Sequence, residues 1–297
     1  MVETSSRELR IGTVAAVAAY LLWGLFPIYW RRLSGVESLQ ILSHRIVWAA
    51  VFTVVALIAT RKFGALVALF KDRRRLPFAI AASFLITINW GIYIWSVNSS
   101  HVMDSALGYY INPLVSVGLG AIFLRERMDI WTSLAVGIAA VGVAVASFMM
   151  GGLPWISLVL ATSFGFYGLV KKKAALPPLV GLAAETLIVM PFALAFLVAR
   201  HSVGAGSFGG ADSVATVMLF LAGIGTATPL LCFAAGMNRI SLTRMGFIQY
   251  LSPTMQLVLS VFVFGETIGT PMIVAFAAVI GAVALYASTR GKMKNGT

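Results

Sequence analysis

Charges, glycines and prolines cut this sequence into ten apolar runs, near residues 11–30, 40–60, 78–98, 104–124, 131–149, 154–170, 179–199, 214–236, 243–265 and 271–289. A bilayer core about 30 Å thick takes roughly 20 apolar residues per helix. No water is present there to satisfy backbone N–H and C=O groups, so runs of this kind cross as helices. The expected fold is an all-α integral membrane protein with ten transmembrane helices. Composition points the same way: 11% of the residues are charged and 60% hydrophobic, against about 25% charged in an ordinary soluble domain. So apolar a chain is neither a soluble globule nor a disordered one. The apolar run after the polar start lacks a small-residue cleavage site and reads as an uncleaved first membrane helix. The segments 61–77 and 200–213 are too short for a soluble domain.

The formal net charge is +12, which raises the question of a nucleic-acid partner. The positions of the charges answer it. All but four of the 22 Lys and Arg residues fall near the two ends or in the even-numbered loops of a ten-helix thread. The exceptions are Arg31, Arg32 and Arg200, which fall in odd-numbered loops, and Arg45, inside the second helix. Basic residues in short loops mark the cytoplasmic side, so both termini are expected in the cytoplasm. The cations are a topological signal spread over six places, and no nucleic-acid partner is expected.

The sequence repeats itself at a fixed offset. Pro113 precedes Glu126 as Pro253 precedes Glu266, 140 residues later, and the same shift places Tyr110 on Tyr250, Asn98 on Asn238 and Arg45 on Glu185. An offset of 141 places Gly24 on Gly165 and Arg31–Arg32 on Lys172–Lys173. The chain divides into a first five-helix repeat, residues 1–150, and a second, residues 151–297. Five crossings is an odd number, so the second copy enters from the opposite side. Two inverted repeats are the architecture of many secondary transporters, which hold their solute near the midplane between the halves.

Polar residues within the spans are therefore candidates for a pathway. Ser105, Tyr109, Asn112 and Ser116 share one face of the fourth helix, and Gln249, Ser252, Gln256 and Ser260 share one of the ninth. The 140-residue shift carries 109, 112 and 116 onto 249, 252 and 256. Asn89, Tyr93, Ser96 and Ser100 form a third stripe, and Tyr20, Trp23 and Pro27 share a face of the first helix. Any one of these residues is adequately explained as a hydrogen bond between helices. Three stripes on repeat-related helices are better explained by a solvated pathway. Trp30, Trp131 and Trp155 stand at helix ends and read as interfacial anchors. Trp23, Trp90, Trp95 and Tyr110 lie deeper and are candidates to line a cavity, with Tyr250 as the repeat counterpart of Tyr110.

Two charges lie within spans, Arg45 in the second helix and Glu185 in the seventh, and are candidates for a gate, a structural pair or a coupling site. Inversion puts Arg45 nearer the outer face and Glu185 nearer the inner one. The two can pair only if both side chains reach towards the middle. His44 is expected at a cap or an interface, and Glu126 and Glu266 are expected as solvated helix ends. Cys232 is the only cysteine, so neither an intrachain disulfide nor a thiolate metal site can form. His44, His101 and His201 are scattered, no G-x-x-x-x-G-K-[ST] motif is present, and no serine, histidine and acid combination suggests hydrolysis. No catalytic residue, metal or cofactor is expected, and no enzymatic activity.

Ser43-His44-Arg45-Ile46-Val47-Trp48, the run Ala106 to Leu114 containing Tyr110-Ile111-Asn112-Pro113-Leu114, and Phe247-Ile248-Gln249-Tyr250-Leu251-Ser252-Pro253-Thr254 resemble the RarD-type branch of the EamA transporters. That branch belongs to the drug/metabolite transporter superfamily, and the resemblance covers essentially the whole chain. It implies a ten-helix inverted-repeat transporter of a bacterial inner membrane. Family members are linked to export of amino acids, other metabolites and drugs such as chloramphenicol. Read together, the sequence suggests a secondary transporter that moves a small neutral or zwitterionic, partly apolar solute by alternating access, export being favoured by analogy. Protons are a candidate coupling ion through Glu185. A passive channel or lipid-translocating protein is the alternative, and a mere membrane anchor has no need of the polar stripes.

Overall fold

A computed structural model describes residues 6–33, 35–98, 101–152, 155–210, 212–263, 265 and 269–294. Ser100 and Glu266, and the side chains of Asn98 and Ser260, lie outside the described residues. Among the described residues there are twelve helices and no strand. The first half holds α1 (Ser6–Arg31), α2 (Ser38–Ala59), α3 (Phe63–Lys71), α4 (Leu76–Asn98), α5 (Val102–Leu124) and α6 (Ile130–Met149). The second holds α7 (Trp155–Ala174), α8 (Pro178–Ser202), α9 (Ser213–Met237), α10 (Leu242–Gln249), α11 (Leu251–Phe262) and α12 (Thr270–Lys294).

Eight of these, namely α1, α2, α4, α5, α6, α8, α9 and α12, are long and apolar enough to cross a membrane individually. The other two crossings differ from the expected plain spans. The helix α7 ends in Lys171, Lys172 and Lys173, whose apolar stems can lie along its last turn. The ninth crossing is broken into α10 and α11 at Tyr250. Proline contributes to the break, because Pro253 has no N–H for the carbonyl four residues back and its ring presses on that carbonyl. The carbonyl belongs to Gln249, the last residue of α10. Pro113 stands at the equivalent place in α5, which stays continuous. The short α3 does not cross. Its Leu66 and Leu69 are buried, while Phe63, Val67 and Phe70 are exposed, as in a helix lying along an interface. Beside it, the backbone N–H groups of Arg74 and Arg75 donate to Asp72 and hold its carboxyl below the usual carboxylate range.

With α3 set aside, each half makes five crossings and the second is inverted. The packing follows the repeat. The helix α7 packs on α4 and α5, and its counterpart α1 packs on α9 and on α10–α11. The helices α2 and α8 pair with each other, as do α6 and α12. Two glycines show the correspondence at atomic scale. A Cβ on Gly24 of α1 would stand 2.7 Å from the Met255 sulfur of α11, and one on Gly165 of α7 would stand 2.7 Å from Cγ1 of Val115 on α5. Residues 115 and 255 are 140 apart, so the two close approaches are copies of one contact. Small residues let membrane helices approach closely, which is why both positions hold glycine.

Candidate functional site

The helices α1, α2, α4, α5, α7, α10 and α11 converge on a cavity of about 70 Å³. Its wall includes Tyr20, Trp23, Phe26, Pro27 and Trp30 from α1, Arg45 from α2, and Asn89, Trp90 and Tyr93 from α4. The rest comes from Tyr109 and Asn112 of α5, Phe164 of α7, Gln249 of α10, and Ser252, Pro253 and Gln256 of α11. Both halves contribute, and Pro27 of α1 and Pro253 of α11 both lie in the wall. A water needs about 10–15 Å³ of such space, so this conformation admits a few waters or a small group of atoms. A whole aromatic solute requires the walls to part.

Asn89, Tyr93, Tyr109, Asn112, Gln249, Ser252 and Gln256 of the sequence stripes are brought together here, whereas Ser96, Ser105 and Ser116 are buried outside the cavity wall. Asn89 ties α4 to α7, its Nδ2 donating to the Leu160 carbonyl at 2.9 Å and to Ser163 Oγ at 3.0 Å. Gln256 donates to Ser252 Oγ at 3.2 Å and to the Trp23 carbonyl at 3.3 Å, joining α11 to α1. Ser116 Oγ lies 3.5 Å from Gln249 Oε1, a weak link across the α5–α10 crossing. For Asn89, Gln249, Ser252 and Gln256 the hydrogen-bonding explanation holds alongside cavity lining. Asn112 is different. It is buried, and its Oδ1 has no hydrogen-bond partner; the buried hydroxyl of Tyr20 has none either. A buried acceptor without a partner costs free energy, so these two atoms are the ones poised to meet a ligand or water.

Aromatic rings form most of the remaining wall. Trp23 meets Tyr20 at 5.2 Å, Phe164 at 5.8 Å and Phe233 at 5.7 Å between centroids. Tyr93 meets Tyr109 edge to face at 5.5 Å. Sequence reasoning missed Phe164, although the 141-residue offset that pairs Gly24 with Gly165 also pairs Trp23 with Phe164. Trp30 was expected as an interfacial anchor and instead lines the cavity beside Arg45. Trp131 and Trp155 are exposed as expected of anchors. Trp95 is corrected: it is 45% exposed and stacks on His101, away from the cavity.

Tyr110 and Tyr250 do not line the cavity. They lie in a separate apolar cluster with Phe247, Val279 and Tyr286, because consecutive helical residues are rotated by about 100° and Tyr109 and Gln249 take the inward face. Arg45 and Glu185 are not paired. Arg45 Nε donates to Thr226 Oγ1 of α9 at 2.9 Å, and its guanidinium carbon lies 4.8 Å from the Trp30 ring centroid and 4.5 Å from that of Trp90. Glu185 accepts from Lys171 Nζ at 2.7 Å and from the Tyr167 hydroxyl at 3.1 Å, and lines a smaller crevice with Phe78, Asn238 and others. Lys171, expected in a solvated loop, is buried. Glu126 is not merely a solvated helix end: its carboxylate accepts the backbone N–H groups of Leu242 and Thr243 at 2.7 and 2.9 Å and so caps α10. His44 stacks on Phe208 at 5.0 Å, as expected of an interface residue.

The missed Lys171 is visible once the repeat is applied to contacts. The offset of 141 places Trp30 on Lys171, and the offset of 140 places Arg45 on Glu185. In each half the same two positions touch. In the first half the contact is a cation over an aromatic ring; in the second it is a buried ion pair.

Comparison with known proteins adds the lineage. The EamA-like transporter family matches the chain twice, over residues 10–148 and 151–288. The uncharacterized transporter YojE of Bacillus subtilis (strain 168) is 41% identical over 292 residues, covering 97% of each chain. Protein RarD of Escherichia coli (strain K12) is 38% identical over 281 residues, covering 95% of each. One solved crystal structure superposes with a TM-score of 0.69 at 16% identity, over 95% of this chain and 98% of its own. At that identity the likeness is one of fold alone.

Proposed function

The chain belongs to the EamA-like transporter family, and from that premise we propose that it is a secondary transporter of a small, partly apolar solute. The observation that carries this reading is the cavity at the junction of the two halves, walled by aromatic rings and by the buried, unpartnered Asn112 Oδ1 and Tyr20 hydroxyl. Inverted repeats can expose such a site alternately by rocking one half against the other. The repeats are assigned to residues 1–150 and 151–297. The protein sits in a bacterial inner membrane with both termini in the cytoplasm, the orientation favoured by the Lys and Arg distribution, and exports its solute.

The gating role falls to the residues that must move apart. Lys171–Glu185 joins α7 to α8, and Arg45–Thr226 joins α2 to α9. The partnership of Glu185 with Lys171 favours a structural pair or gate over proton carriage. The test is counterflow in reconstituted vesicles, using a panel of labelled amino acids, aromatic ones included, and related acids. A transporter accumulates label transiently when unlabelled solute is loaded on the opposite side. A passive channel, the competing reading, equilibrates the label without overshoot, and that result would replace this proposal.

A further inference from the structure

The cavity wall carries a charge that no described carboxylate compensates. Arg45 is buried in α2, where a lone cation is costly. Among the described residues no carboxylate lies within ion-pair distance of it. Nor does any carboxylate line the cavity. Its Nε is committed to Thr226, while its Nη groups have no protein acceptor among the described residues.

The repeat makes this vacancy specific. Positions 30 and 45 correspond to positions 171 and 185. The second half fills them with an ion pair, Lys171–Glu185 at 2.7 Å. The first half keeps a charge at position 45 but sets Trp30 where its counterion would stand, 4.8 Å from the guanidinium. The charge is thus held beside two tryptophan rings that, like Arg45 itself, line the cavity.

We infer that Arg45 is the residue that selects the solute, and that the solute is an organic carboxylate with an aromatic or apolar body. The planar guanidinium presents parallel N–H donors that match the two oxygens of a carboxylate. The apolar body packs against the rings of the wall. With no acid there to hold an ammonium group, an amino substituent meets only neutral acceptors such as Asn112 Oδ1 and is dispensable. This deepens the transporter reading and rests on it for its biological meaning, but binding tests it separately.

The experiment is titration of the full chain in detergent micelles, followed by intrinsic tryptophan fluorescence. The probes are 3-phenylpropionate, L-phenylalanine, 3-phenylpropan-1-ol and 2-phenylethylamine. The two carboxylates should bind roughly tenfold or more tightly than the alcohol and the amine, the yield of a charge-assisted pair away from water. Arg45→Gln can still bond Thr226. It should weaken the carboxylates roughly ten- to a hundredfold and leave the alcohol unchanged, which also shows that the variant is folded. Arg45→Lys should restore part of the loss, because it keeps the charge and lacks the fork. The inference is overturned if the amine or alcohol binds as well as the carboxylates, if Arg45→Gln weakens all probes alike, or if no probe binds saturably. Carboxylate-selective binding without counterflow in vesicles would sink the transport reading and leave this one standing.

Discussion

Replacing Lys171 with methionine strands the Glu185 carboxylate in the protein interior, where its side chain is 2% exposed. The Tyr167 hydroxyl remains as a neutral donor at 3.1 Å, too little to compensate a full charge. Removing one partner of a buried pair costs about 3–5 kcal/mol, whereas replacing both with apolar groups is often neutral or stabilising. Lys171→Met should therefore lose about 3–5 kcal/mol. Glu185→Leu should lose less, about 1–3 kcal/mol, because Lys171 stands in the last turn of α7 on a flexible stem and can turn towards water. The double variant should lie within about 1 kcal/mol of the unaltered protein. The assay is equilibrium unfolding in mixed micelles with rising SDS, run on all four proteins as a double-mutant cycle. A coupling of at least about 2 kcal/mol is expected. Losses that simply add would show that the two charges do not share the interaction, and the argument from burial would be wrong.

Valine at Gly24 or Gly165 should each lower stability by about 1–3 kcal/mol, the usual cost of overpacking, and Val115→Ala should rescue Gly165→Val in the same unfolding assay. Single tags placed in 61–77 and 171–178 should report the cytoplasm, and tags in 200–213 the outside. If 61–77 and 200–213 came out on one side, the proposed threading would be refuted. Asn112→Leu and Gln249→Leu should cut counterflow of a responsive solute while the protein still inserts and purifies in normal yield; loss of folded protein instead would reassign both residues to helix packing.

The hydropathy runs carried the fold, since a bilayer leaves the chain little choice but helices. They could not show the break at Tyr250, which depends on how Pro253 acts on a single carbonyl. Members of the stripes on the fourth and ninth helices do line one cavity, because polar positions 109, 112 and 116 recur as 249, 252 and 256 with the same spacing, and equal spacing gives each helix a matching polar face. Helical phase separates neighbours in sequence: of Tyr109 and Tyr110, only the first lines the cavity. Lys171 was hidden by its company. A run of three lysines reads as a solvated loop, and only the contact geometry shows that its first member turns inwards to Glu185. Arg45 stands out in the sequence as a charge within a span, but its partners Thr226, Trp30 and Trp90 come from three other helices that no local pattern connects.

The proposed transporter requires a cavity between the halves that opens to one side at a time. That requirement is tested most directly with single cysteines at positions 112 and 256 in a Cys232→Ser background, exposed to a charged, impermeant thiol reagent from each side of sealed vesicles while the leak of small ions is recorded. Alternating access predicts that each cysteine is modified from either side while the vesicles hold their ion gradients. Modification from both sides accompanied by an ion leak would mean a continuous channel, and no modification from either side would take the cavity off the pathway altogether.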